Sequence, residues 1–199
     1  MTERLYPNAR EKILDAAAAV ILRDGAAQMT VDAVVAEAGV SKGGLFYHFP
    51  SKDALIEGLI HRVDDQWMQA LEAARGAEAP GPGRFVRAVF RSFFNCPAAT
   101  GDDSNCHRLC GALAAVAISN PKLLTRTRAT YARILRELAE DGLPVGRALM
   151  VFAALDGLWA AQVFGMYELT EAQRSAVREE LKELLEKYTA VPIAWGENK

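Results

Sequence analysis

Three observations predict an all-α fold. Apolar residues recur at i, i+3 and i+4 along most of the 199 residues, which lays one apolar stripe along each successive helix. No segment alternates apolar and polar residues as a half-buried strand does. Gly, Pro, Ser, Thr and Asn fall where helices start and stop. Hydrophobic residues make up 51 % and charged residues 24 %, which excludes a disordered or collagen-like chain. The length suits one compact domain or two small ones.

Ile13, Ala16, Ala17, Val20 and Ile21 form the stripe of a first helix, and Asp24-Gly25 ends it because Gly takes the left-handed conformation of a helix stop. Thr30 is an N-cap for a second helix with Val31, Val34, Val35 and Ala38 on one face, closed by Gly39. Ser41 caps a short third helix reaching His48; Phe49-Pro50-Ser51 breaks and re-caps the chain. A long fourth helix carries Ile56, Ile60, Val63, Trp67 and Leu71. The Ala, Pro and Gly of residues 76–83 predict a mobile loop. Further helices are expected at residues 84–94, 104–118, 121–141, 146–167 and 171–188, about nine in all. Asn120-Pro121 is an N-cap followed by Pro at N1, and Thr170 with Gln173 is a capping box.

The formal net charge of -2 removes an overall basic surface as an argument for nucleic-acid binding. Any DNA contact must then come from a local patch. The three cysteines, and an N-terminus without a basic and apolar leader, point to the cytoplasm rather than to a secreted disulfide scaffold. The most apolar stretch, residues 148–165, is interrupted by Asp156 and Gln162 and opened by Arg147, so a protein-buried helix is expected and no membrane partner.

The two short helices from Thr30 to His48 are too short to stand alone and must pack across the first helix. That is the helix-turn-helix layout, whose second helix enters the major groove. Between Ala38 and Lys52 there is no carboxylate, while Lys42, Lys52 and His48 are present. Residues 1–52 as a whole carry six basic and six acidic side chains, so bulk electrostatic steering is weak. By itself, a short helix ending in aromatics is more often core than a DNA reader.

The run TVDAVVAEAGVSKGGLFYHFPSKDAL, residues 30–55, resembles the DNA-binding signature of TetR-type transcriptional regulators. Ile13-Leu14-Asp15-Ala16-Ala17 and Asp24-Gly25 match the family's first helix, so the likeness covers the first quarter of the chain without gaps. The resemblance implies a homodimeric repressor, with a DNA-binding domain at residues 1–52 and a C-terminal effector-binding and dimerisation domain at 53–199. Its partners are then a double-stranded operator, a second copy of the chain and a small-molecule effector. Carried over residue by residue, Lys42, Tyr47, His48 and Lys52 stand where such proteins contact DNA, mostly phosphates. Thr30, Ser41, Gly43 and Gly44 complete the expected DNA-binding set. Leu45, Phe46 and Phe49 stand where members hold the recognition helix to the core. Two positions depart from the pattern. Gly44 replaces a hydroxyl residue, removing a phosphate donor and lowering helix propensity by up to about 1 kcal/mol relative to Ala. Val35 replaces a small Ala, which bears on how closely the two helices cross.

Expected effector-pocket residues are Trp67, Phe93, Phe94, Cys106, His107, Cys110, Asp156 and Trp159, whose aromatic share suggests an apolar or aromatic molecule. Asp156, alone on an apolar helix, fits either a dimer seam or a polar anchor in the pocket. Cys106 and Cys110 lie one helical turn apart, which raises a thiol sensor with Cys96. However, no C-x-x-C or four-ligand spacing is present, so the bland reading as small core residues is preferred and no metal or cofactor is expected. Ala153, Gly157, Ala161 and Gly165 form a ladder of small residues, and Val177, Leu181, Leu184 and Leu185 an apolar face on the last helix; together they suggest a four-helix dimer interface. No G-x-S-x-G, P-loop, dinucleotide or H-E-x-x-H motif occurs, so an enzyme is the remote alternative.

Overall fold

The computed structural model describes residues 9–95 and 104–187, and among these only helices and turns occur. In chain order the helices are α1 (Ala9–Asp24), α2 (Val31–Ala38), α3 (Lys42–His48), α4 (Lys52–Ala77), α5 (Arg84–Phe94), α6 (Ser104–Ser119), a 3-10 turn (Pro121–Leu124), α7 (Thr125–Ala139), α8 (Val145–Val163) and α9 (Glu171–Glu186). The all-α prediction holds. Cys96 and Tyr188 lie outside the described residues.

The chain divides into two compact units: residues 1–66 with 104–130, and residues 67–103 with 131–199. In the first, α1 packs against α2, α3 and α6. Its core takes Ile13, Leu14, Ala17, Val20 and Ile21 from α1, Val34 and Ala38 from α2, Leu45 from α3 and Leu55, Ile56 and Leu59 from α4. Leu113 and Ala117 of α6 join the same core, so the compact body around the first three helices extends well beyond residue 52. Gly58 lets α4 approach closely, since a Cβ there would meet the Phe49 ring at 2.6 Å. Arg62 ties α4 to α1 through Asp15 at 2.6 Å and the Leu14 carbonyl at 3.4 Å.

The second unit has its own core of Leu71, Phe85, Val89, Phe90, Ile134, Leu138, Val151, Phe152, Leu155 and Leu185. Here α5 packs along α8. The segment read as a mobile loop is instead anchored. Glu78, 6 % exposed, accepts from Arg87 Nε at 3.1 Å and Arg91 Nε at 2.6 Å. Arg87 also donates to the Pro82 and Ala79 carbonyls at 2.7 and 2.8 Å. Asp141 caps α5 from a distant turn, accepting from the Phe85 and Val86 amides, both at 2.8 Å. Burial pushes its carboxyl above the usual range, against the pull of those two amides.

Several boundaries differ from the periodicity reading for identifiable reasons. The predicted helix at 146–167 stops at Val163, because Gly165 turns left-handed at φ +60°. Met166 N then donates to Ala161 O and Gly165 N to Gln162 O, the paired bonds of a Schellman stop. Asn120 does not cap with its side chain: its Nδ2 donates to Asp53 Oδ2 at 3.2 Å, and the segment opens with a 3-10 turn. The capping box at α9 forms as expected, with Thr170 and Gln173 bonding reciprocally.

Candidate nucleic-acid interface

Both short helices are built by capping. Thr30 Oγ1 accepts from Ala33 N at 3.1 Å to start α2, and Gly39 ends it at φ +59°. Ser41 Oγ accepts from Gly44 N at 3.0 Å to start α3. A Cβ at position 44 would lie 3.2 Å from that same oxygen, so Gly44 keeps the cap uncrowded. Leu45, fully buried, and Phe49, 3 % exposed, fix α3 to the core. Phe46 does not share that role: 40 % exposed, it lies on the outer face of α3. With the core side taken by Leu45, a residue one position further is rotated about 100° around the helix.

That outer face carries Lys42, Gly43, Phe46 and Tyr47. Tyr47 is 71 % exposed and packs edge-on against half-buried His48 at 5.1 Å. Lys42 Nζ pairs with Asp32 Oδ1 at 2.8 Å, an exposed contact of the kind that adds little stability and leaves the ammonium available to a phosphate. Lys52 Nζ donates to the Ala27 carbonyl at 3.3 Å, which holds it beside the start of α2. Arg23 bonds Glu37 at 2.8 Å and so fastens the end of α1 to α2. All eight residues expected to contact DNA belong to the first unit, and Thr30 and Ser41 use their hydroxyls as caps.

The expected pocket residues fall in different units. Cys106, His107 and Cys110 belong to the first, on α6, with Cys110 and His107 buried; Trp67, Phe93, Phe94, Asp156 and Trp159 belong to the second. Phe94, 6 % exposed and 4.7 Å from the Phe90 ring, is a core residue rather than an open wall. Asp156 Oδ1 accepts from the Tyr131 hydroxyl at 2.8 Å. A small cleft in the second unit is lined by Phe93, Leu158, Gln162, Tyr167, Leu169 and Arg174. Of these only Phe93 was anticipated, since the others meet through the turn after α8, where periodicity gives no signal.

Of the residues expected at a dimer seam, Ala153 and Gly157 are exposed on α8, in line with Met150 at 61 % exposure. Ala161, Leu181 and Leu185, at 1 %, 7 % and 0 %, are instead covered by their own chain. Val177 and Leu184 are half-buried, and Gly165 stands in the turn after α8 rather than on the ladder. Leu181 and Leu185 join the second unit's core because α9 packs on it along the very stripe that made the helix amphipathic.

A capped α2–turn–α3 whose second helix bears lysine and tyrosine and no carboxylate of its own, on an all-helical body, defines a DNA-binding helix-turn-helix regulator. Comparison with known proteins makes the class specific. A family model described as bacterial regulatory proteins, tetR family, matches residues 13–59, and a tetracyclin repressor-like C-terminal domain matches residues 83–186. The chain belongs to the TetR family of transcriptional regulators. Among curated relatives, the nucleoid occlusion factor SlmA of Aliivibrio fischeri is 40 % identical over 60 residues, 30 % of this chain and 31 % of SlmA, so the match spans less than a third of that protein. The multidrug binding protein EbrR, crystallised with imidazole, is similar over 97 % of this chain and 95 % of its own, at 25 % identity and a TM-score of 0.66. A transcriptional regulator from Rhodococcus sp. shares the fold over 92 % of this chain and 99 % of its own, at 24 % identity and a TM-score of 0.68. Among the described residues no helix is long and apolar enough to cross a membrane.

Proposed function

We propose that the protein is a cytoplasmic repressor that binds a palindromic operator as a homodimer and releases it when a small molecule binds the C-terminal part of the chain. The observation that carries this reading is the outer face of α3, where Lys42 and Tyr47 stand exposed beside two glycines and the helix supplies no carboxylate of its own, the Asp32 that pairs with Lys42 belonging to α2. Glycines at 43 and 44 permit close approach of the backbone to DNA, and the lysines supply phosphate contacts. Residues 1–52 are assigned DNA recognition and 53–199 effector binding and dimerisation. The exposed line Met150, Ala153 and Gly157 on α8 is the proposed seam.

Release is a two-state equilibrium. The effector binds one state better, and the separation of the two recognition helices changes with it. Moving occupancy from 99:1 to 1:99 requires a differential affinity of about 5.5 kcal/mol. No covalent chemistry is assigned to the protein. The nucleoid-occlusion role in the name of SlmA is not carried over, because the likeness covers so little of that chain.

Lys52→Ala tests the assignment of α3 and its flank. A phosphate contact releases counterions without reading sequence. The substitution should therefore weaken specific and non-specific duplexes alike and lower the salt slope of log K by about 1. Fluorescence anisotropy across a salt series reads both; an unchanged slope and affinity would remove Lys52 from the interface.

A further inference from the structure

Asp156 is a half-buried carboxylate on the apolar helix α8. Among the described residues its only polar partner is the Tyr131 hydroxyl at 2.8 Å, and no lysine, arginine or histidine forms an ion pair with it. One hydroxyl donor leaves most of the acceptor capacity of an ionised carboxylate unused. The Tyr131 ring that reaches this carboxylate belongs to an aromatic cluster. The Trp67 ring lies 5.7 Å from that of Tyr131, and the Tyr131 ring 6.0 Å from that of Phe152. Trp159 follows Asp156 by one helical turn. Trp67, Tyr131, Asp156 and Trp159 are each only half-buried, so a ligand can reach them, whereas Phe152 forms the floor at 7 % exposure.

A carboxylate without a cationic partner, joined through Tyr131 to a cluster of rings whose faces are negative, selects for positive charge. The rings favour a weakly hydrated organic cation over an inorganic one, and the described residues offer no cluster of three ligating side chains for a metal. An anion meets repulsion here, and a neutral molecule gains only apolar contact. We propose that the Asp156, Tyr131 and Trp67 cluster is a recognition site for a monovalent organic cation, an amine or quaternary ammonium carried on an apolar or aromatic body. Its regulatory meaning rests on the effector reading above; its binding chemistry does not.

The test uses the full-length protein without DNA and three probes of one shape: phenyltrimethylammonium, its neutral isostere tert-butylbenzene, and benzoate. Binding is followed by quenching of tryptophan fluorescence and by calorimetry. The cation should bind at least about tenfold more tightly than the neutral isostere, with benzoate weakest; that ratio is the signature of charge recognition. Asp156→Asn should erase the ratio and leave the affinity for tert-butylbenzene unchanged. Tyr131→Phe, which keeps the carboxylate, should retain it. Equal binding of cation and neutral isostere, or no binding of the cation at up to about 10 mM, overturns the proposal. So does loss of the dimer in Asp156→Asn on sedimentation, which would give the carboxylate to the subunit seam instead. Cation binding that leaves operator affinity untouched sustains the site and overturns the effector reading alone.

Discussion

Gly157→Leu is expected to turn a dimer into a monomer while leaving the chain folded. Gly157 is exposed on α8, and a Cβ added there meets nothing within 4 Å, so a side chain can leave the helix toward solvent at this position. Leucine is also the better helix former by about 0.8 kcal/mol. In the proposed dimer the same surface faces its copy, and each inserted side chain overpacks the seam at about 1 to 3 kcal/mol. A two-fold axis applies that penalty twice. Sedimentation should show monomers with wild-type helical circular dichroism, and operator affinity should collapse although α3 is untouched, because half-sites are read in pairs. A variant that remains a tight, DNA-competent dimer would place the seam elsewhere on the molecule.

Glu78→Ala is expected to cost about 3 kcal/mol of stability, the size seen when one partner of a buried ion pair is removed. Arg87, 3 % exposed, would keep its charge in the second core with only the carbonyls of Ala79 and Pro82 to satisfy it. Arg91 would lose its 2.6 Å partner as well. A drop in thermal midpoint of about 6 to 12 °C is the corresponding reading for a chain of this size. Glu78→Gln, which keeps an acceptor, should fall between. A change below about 1 kcal/mol would mean that water reaches the pair and that the 78–83 segment is held by its backbone bonds alone.

The contrast between these two sites and the helix-turn-helix shows what a sequence displays. Thr30, Gly39 and Ser41 act on amides within four residues, so the starts of α2 and α3 and the stop of α2 are local chemistry and were legible. Glu78 and Asp141 act across nine and more than fifty residues, and nothing near them in the chain signals their partners. Phe46 was misplaced because a recognition helix of seven residues has room for only one buried turn, which Leu45 fills. The amphipathic pattern of α9 was correct as a pattern but silent about its partner. Its stripe of Leu181 and Leu185 is satisfied by the second core of the same chain. Periodicity reports that a face is buried and not against which molecule.

Reading of duplex sequence is assigned to the exposed face of α3. It is tested most directly by selecting duplexes on the wild-type protein from a randomised pool, then measuring affinity for the enriched and a scrambled duplex at one physiological salt concentration. Enrichment of an inverted repeat is expected, with a preference on the order of 10³ or more over the scrambled duplex that is abolished in the Lys42→Ala, Tyr47→Ala double variant. No enrichment, or a preference that survives the double variant unchanged, would contradict it.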